Sequence, residues 1–492
     1  MTIARLCDAS LVTARPGVGR PRYDRAATRI GIVHFGPGAF HRVHQAWYVD
    51  RLLGRDPRWA ICAVSLQSPA AREALAPQDF LYTVAELGPD VRLSIIGSLR
   101  ELKIGPRDRD AILARLASPD VSLVTLTVTE KGYCLGAQGF LDERHPAIAH
   151  DLAHPREPVS ALGWLAHGLS ERRTRGLAPF AVLSCDNLPD NGPTLRRALM
   201  HLASRLDAGL ARWIEQEVAF PRTMVDSITP ATDDRLRAHV AARIGLEDAW
   251  PVQREAFTQW VIEDLPAVRA ADWASVGVTL ARDVTVYDRA KLRLVNGAHS
   301  TLAYLGLLRG RETVAEAMQD VPLATFVERM MREDIAPTLA SSAGRDASRG
   351  LDVSAYIETV LARFSNPAMR HLLTQIAWDG SKKLPVRLIG TIEDRLREHG
   401  PLERLVVPLA AWMHFIARQA QAGATIIDPD AERLAATGRG CTGHARADIE
   451  RFLALGTVIS PALAAHEPFK RVLERAYARL AAADRLGCIE GE

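Results

Sequence analysis

At 492 residues, 48% hydrophobic and 24% charged, the composition is that of a soluble globular protein, and the length asks for two domains or more. A formal net charge of +3 leaves no basic excess for nucleic acid. There is no apolar run of about eighteen residues to span a membrane and no secretory layout at the N-terminus, so a cytoplasmic location is expected.

Cys7, Cys62, Cys134, Cys185, Cys441 and Cys488 are scattered without a CxxC pair and read as reduced thiols. Zinc-ligand spacing is absent, so no metal is expected and a zinc-dependent alcohol dehydrogenase is disfavoured.

Residues before Arg29, with Pro16, Gly17, Gly19 and Pro21, read as an irregular arm. Arg29 to Phe35 is a short apolar strand that runs into Gly36-Pro37-Gly38-Ala39-Phe40-His41-Arg42, and a helix follows to Leu52. Strand, glycine turn and helix aim backbone N–H groups at a dinucleotide pyrophosphate, which makes Phe35, Gly36, Gly38, Ala39 and Phe40 candidate cofactor-binding residues. The pattern is G-x-G-x-x-H. With His41 in place of the third glycine, helix and strand are expected to pack less closely.

A second strand, Trp59 to Leu66, leads to Gln67-Ser68-Pro69, where an acid would favour NAD by binding the ribose 2′-hydroxyl. Gln67 stands there instead, and Arg72 is close enough for a 2′-phosphate or is a plain surface arginine, so these residues leave the choice open; NAD is the cofactor expected, with NADP possible. Asp79–Val84 and Val91–Ile96 look like a strand pair around Gly88-Pro89. A helix fits Asp108–Leu116. The β-branched run Val121–Thr129 suits a buried parallel strand and ends in Glu130 and Lys131, which would face the ligand crevice.

A helix over Pro158–Thr174 and a strand over Ala178–Ser184 follow, leading to the polar loop Cys185–Gly192. In that loop Asn187 either donates to a carbonyl oxygen or closes an Asx turn before a helix over Thr194–Ala203. Phe220–Pro230 reads as a second loop, capped by Thr232 or Asp233 before a helix over Arg235–Ile244. Trp260–Asp264 and Val276–Leu280 complete the strands. The expected fold is α/β: a Rossmann-like dinucleotide-binding domain over residues 1–284, then a mostly α-helical domain over 285–492. The second half carries helical periodicity at Ala290–Leu308, Leu323–Glu333, Ala355–Arg363, Leu402–Ala420, Ile449–Leu455 and Pro468–Leu480.

The stretch Tyr287–Ser300 opens that half, where the two domains are expected to meet. It sets Lys291, Asn296 and His299 among apolar residues. Burial disfavours an ammonium, which is how a lysine becomes a base near neutral pH. A structural reading, a snorkelling lysine and a core histidine, competes. On an ideal helix the three spread over roughly 140°, with Lys291 and His299 on one face and Asn296 at its edge.

The blocks Gly31–Gln45, Thr127–Cys134, Ser184–Gly192, Phe220–Asp233, Gln259–Asp264 and Tyr287–Ser300 occur in order, followed by Arg363–Pro367 and Asp379–Pro385. In these the chain resembles the polyol-specific long-chain dehydrogenases, a family that includes mannitol 2-dehydrogenase and fructuronate reductase (D-mannonate oxidoreductase). The resemblance implies zinc-independent hydride transfer between a nicotinamide cofactor and a sugar carbon. It puts the catalytic lysine on Lys291, the oxygen-polarising asparagines on Asn187 and Asn296, and a substrate-contacting histidine on His299. Asp288 matches an acid linked to proton passage, and Asp226 and Lys383 match substrate contacts. Where mannitol oxidisers commonly carry an arginine, this chain has Gln375, which together with Lys382, Lys383 and Arg387 points toward a sugar acid held by its carboxylate. Lys382 and Arg387 could equally be solvated. The resemblance also implies a monomer or weak homo-oligomer with no nucleic-acid or membrane partner.

Alternatives are mannitol or another polyol (arabinitol, sorbitol) as substrate, and a nicotinamide-binding regulatory protein without catalysis. Tyr287-x-x-x-Lys291 also spells the YxxxK of short-chain dehydrogenases, in which the tyrosine would be the acid.

Overall fold

A computed structural model describes residues 3–136, 138–342 and 350–486, so Cys488 lies outside the described residues. Two compact units divide the chain, Met1–Val284 and Thr285–Glu492.

The first unit carries strands β1 (Ile30–Phe35), β2 (Ala60–Ser65), β3 (Tyr82–Leu87), β4 (Arg92–Ile96), β5 (Leu99–Ile104) and β6 (Leu123–Leu126). Further along come β7 (Ala181–Ser184), β8 (Thr223–Asp226), β9 (Val252–Glu255), β10 (Gln259–Glu263) and β11 (Thr279–Ala281). Five of them form one parallel sheet in the order β5-β2-β1-β6-β7. β1 lies at its centre and every residue of it is buried, as its run of apolar residues, broken only by His34, requires of a strand covered on both faces. The order reverses beside β1, so the crevice at its carboxyl end is a topological switch point, the usual ligand position in such sheets.

Two smaller sheets, β4-β3-β9 and β11-β10-β8, complete the unit. Trp260 and Trp273 meet edge to face at 5.3 Å in the main core, with Trp59 and Tyr48 beside them.

Several expectations are corrected. The strand at Asp79 starts only at Tyr82, because Asp79 and Phe80 take left-handed backbone. β5 and β9 carry no expectation from the sequence. β5 alternates buried Leu99, Leu102 and Ile104 with charged residues, and β9 is the short run Val-Gln-Arg-Glu. The Phe220–Pro230 loop contains β8, whose Asp226 pairs with Gln259 of β10. Val276 ends a 3-10 turn rather than starting a strand. The helix expected after Asn187 starts earlier, at Asn191, and runs to Leu206.

The second unit has no named strand among its described residues. Its helices include Gly297–Leu308, Val353–Phe364, Val407–Gln421 and Glu467–Leu486. Val407–Gln421 starts later than the expected Leu402 and has Pro408 in its first turn, where a missing N–H costs nothing. Three stretches are wound as π-helix: Lys291–Asn296, Met330–Ile335 and Pro385–Ile389. π turns are rare and concentrate at functional sites. Among the described residues no helix is long and apolar enough to cross a membrane.

Candidate active site

In the first unit, β1 delivers the chain into the glycine turn. Gly36 has φ +94°, and a side chain there would drive into the carbonyl oxygen of Thr127. That contact binds the turn to the end of β6, and only glycine permits it. Thr127 Oγ1 donates to the Gly36 carbonyl at 2.7 Å, and His34 Nε2 lies 3.1 Å from the same oxygen. A carbonyl only accepts, so Nε2 carries the proton, leaving Nδ1 to accept from Thr125 Oγ1 at 2.7 Å. Burial pushes His34 down to about 3, keeping the ring in this neutral form.

Gly38 is exposed and caps the first turn, Ala39–Val43, and a Cβ built on it would meet nothing closer than 4.0 Å. This leaves the backbone open to a phosphate. The residues present therefore fit a dinucleotide cradle. The helix breaks at His44 and resumes as Gln45–Leu53. His41 does not loosen the packing as expected: its ring stacks on His34 at 3.4 Å and fills the helix–strand contact itself. Phe35 is buried in the core, while Phe40 stacks on His44 at 4.9 Å.

Gln67 is exposed just past β2. Arg72 is drawn away from a phosphate role by Asp108, at 2.6 Å. Glu130 and Lys131 are exposed on a 3-10 turn after β6, reached through Thr129 at φ +64°. Asn187 is exposed in the loop after β7. Its neighbours fix that loop: Asp186 accepts from Val128 N, Thr129 N and Tyr133 O–H at 3.0, 2.9 and 2.8 Å. Asn191 Nδ2 donates to Ser184 O at 3.1 Å and to Thr223 O at 2.8 Å. Asp226 is buried at the end of β8.

In the second unit, Lys291 is 6% and His299 7% exposed. The ideal-helix geometry is corrected here. Lys291–Asn296 is a π turn, and i→i+5 winding brings Lys291 and Asn296 one turn apart on the same face. A second π segment, Pro385–Ile389, packs on the first. Gly297 allows the approach, since its Cβ would stand 3.1 Å from the Arg387 carbonyl.

Arg387 Nη1 donates to Ser300 Oγ at 3.1 Å and toward Asn296 O at 3.4 Å. Burial pushes it down to about 10. Lys383 donates to Ile376 O at 3.3 Å, and burial, then Arg387, lowers its pKa. The loop holding it is pinned where Ser381 N donates to Asp428 at 2.8 Å.

His299 lies 4.4 Å from the Phe364 ring and 5.0 Å from His371. Burial holds His299 well below 6.5 and brings His371 to about 4, with Arg387 repelling both protons. His299 Nε2 and His371 Nδ1 are buried without a hydrogen-bond partner among the described residues. Sequence reasoning missed His371; it is a lone histidine between Met369-Arg370 and Leu372-Leu373 with no motif around it. Gln375, Lys382 and Asp288 are exposed. Tyr287 donates to Gly350 O at 2.7 Å, and burial raises its pKa, the opposite of what a proton-donating tyrosine needs. Among the described residues, no group of three or more His, Cys, Asp or Glu side chains is arranged to hold a metal ion.

Residues 30–274 match the mannitol dehydrogenase Rossmann domain and residues 283–481 the mannitol dehydrogenase C-terminal domain. The chain belongs to the mannitol dehydrogenase family. Within that family it is 41% identical to the D-mannonate oxidoreductase of Escherichia coli (strain K12) over 429 residues, 85% of this chain and 87% of the relative. It is 38% identical to the uncharacterized oxidoreductase YeiQ of the same strain, covering 95% of this chain and 96% of that one. Its structure matches Pseudomonas fluorescens mannitol 2-dehydrogenase, solved with NAD and D-mannitol, at a TM-score of 0.82 and 36% identity over 98% of this chain and 99% of that one. The mannitol dehydrogenase family relatives are thus oxidoreductases of CH–OH groups.

Proposed function

We propose that the chain is a zinc-independent, NAD-dependent oxidoreductase that interconverts a sugar acid and its keto form, as a fructuronate reductase does. The carrying observation is Arg387: a half-buried cation that no carboxylate pairs with among the described residues, beside Lys383 and the two unpartnered histidine nitrogens. A buried guanidinium without a counter-ion is costly, and a substrate carboxylate held by its planar fork removes that cost.

A bound nicotinamide dinucleotide supplies or accepts the hydride. Gly36 and Gly38 would hold its pyrophosphate, and the Arg72–Asp108 pair favours NAD over NADP. During reduction Lys291, as ammonium, gives its proton to the substrate oxygen; during oxidation the neutral amine takes it back. Asn296, one π turn away, donates an amide N–H to that oxygen as charge develops, and the family resemblance gives Asn187 the same task. His299 contacts substrate, Asp226 and Lys383 hold its hydroxyls or carboxylate, and Asp288 passes the proton to water.

The test is NADH oxidation with fructuronate, tagaturonate and fructose. Charge-assisted hydrogen bonds of about 1.5–3 kcal/mol give the uronates roughly a 10- to 100-fold higher kcat/KM. Equal values for fructose would sink the sugar-acid reading. Oxidation of mannitol or another polyol is the second reading, favoured by the match to mannitol 2-dehydrogenase. A mannitol kcat/KM above that for D-mannonate in the reverse direction would select it.

A further inference from the structure

A second cleft in the first unit lies away from the glycine turn. It has a volume of about 600 Å³ and is walled by Arg20, Arg22, Arg51 and Arg55, with Trp47 and Asp50. That volume falls within the usual range for small-molecule sites. Two helices lie between the two places: the glycine turn precedes Ala39–Val43, and Asp50, Arg51, Gly54 and Arg55 lie at the far end of Gln45–Leu53, itself about 13 Å long at 1.5 Å per residue.

The charge is unbalanced. Some arginines elsewhere in the unit find carboxylates, as in Arg25–Asp8, Arg72–Asp108, Arg115–Glu101 and Arg254–Glu86, while the buried Arg42 and Arg172 use backbone carbonyls instead. None of the four arginines of the cleft forms an ion pair among the described residues. Asp50, the one acid in the wall, is already engaged: its Oδ1 accepts from Tyr23 O–H at 2.6 Å and from Gly97 N at 2.8 Å. Burial pushes it up to about 6, so at neutral pH it is mostly ionised, and it sets one carboxylate against four arginines. A helix C-terminus explains one nearby cation, not four.

The arginines are also held in place. The Arg51 guanidinium lies over the Trp47 ring, 3.2 Å from its centroid, which fixes the plane of its donor fork. Arg20 donates to the carbonyls of Val12 and Ala14. Arg22 and Arg55 are exposed at the rim.

We propose that this cleft binds a small polyanion bearing two or more phosphate or carboxylate groups. Arg51 supplies the oriented fork and Arg20, Arg22 and Arg55 the surrounding charge. Bidentate contacts from several guanidiniums match such oxyanions and not a single halide.

The test is calorimetric titration of the full chain with pyrophosphate, citrate and inorganic phosphate, each at an ionic strength matched with potassium chloride. The expected result is binding of pyrophosphate or citrate at least tenfold tighter than inorganic phosphate, the tighter of the two identifying the phosphate or carboxylate class. The exposed pair R51Q/R55Q should weaken it at least tenfold while leaving the thermal midpoint unchanged. If that pair lowers the midpoint, R22Q is read instead and should weaken binding at least threefold. Heats equal to those of chloride alone, or binding that survives the substitutions, would overturn the site.

Discussion

Arg387 Nη1 lies 3.1 Å from Ser300 Oγ, so the side chain of one π segment is fixed against the helix that continues the other. The cation is thereby anchored beside Lys383 and His371 rather than swinging in solvent. Arg387→Gln is expected to lower kcat/KM for a uronate roughly 10- to 100-fold and to leave that for fructose nearly unchanged. Steady-state kinetics on both substrates check this; a parallel loss on fructose would mark Arg387 as merely structural.

Lys291 is the proposed proton carrier. Lys291→Ala should reduce turnover at least 100-fold while NADH still binds, as followed by fluorescence titration. Activity within a few-fold of the parent would remove the lysine from the chemistry.

Tyr287 is engaged with Gly350 O. Tyr287→Phe is expected to keep turnover within about threefold and to cost about 1 kcal/mol of stability, the usual worth of one hydrogen bond. A loss in turnover comparable with that of Lys291→Ala would revive the YxxxK alternative.

Gly36→Ala places a Cβ at φ +94° against the Thr127 carbonyl. The strain should cost on the order of 1–3 kcal/mol and weaken NADH binding, because the turn must shift to accept it. Urea unfolding and a binding titration measure the two effects.

Acid should destabilise the first unit through its buried histidines. His34 has a folded value of about 3, against about 6.5 when unfolded, and His41 also lies well below 6.5. Their stabilisation is full above pH 6.5 and is lost as pH falls toward 3, at about 1.4 kcal/mol per pH unit for each. Asp50 works in the opposite sense. Its folded value is about 6 against 3.8, so its stabilisation is present below 3.8 and is lost as pH rises through 6. Asp186 and Asp248, also raised by burial, act in the same sense as Asp50. The histidine's own share is therefore read by difference: between pH 4 and 6 the parent protein should lose stability relative to His34→Gln by about 1.4 kcal/mol for each pH unit of acidification, as measured by urea midpoints.

Much of this architecture is legible in the sequence because its strongest signals are local. The run Ile30–Phe35 with its glycine turn names a buried parallel strand, and Lys291 within apolar neighbours marks a site. What escapes depends on partners distant in sequence. β5 hides behind its charges because an edge strand needs apolar residues on one side only. β9 is visible only once β3 is there to pair with it. His41 reads as a defect in a glycine pattern until the ring of His34 is known to lie beneath it. Winding is the hardest of all: nothing in K-L-R-L-V-N distinguishes i→i+5 from i→i+4, since the choice is made by what packs around it.

The wide winding at Lys291–Asn296 also bears on how this chain can vary in length. An i→i+5 turn holds one residue more than an i→i+4 turn. Deleting one of residues 292–295 would let the segment relax into ordinary α-helix, with every backbone hydrogen bond still made and with His299 and Ser300 facing nearly as before relative to Lys291. The extra residue thus widens the backbone at the site without turning the side chains that follow it.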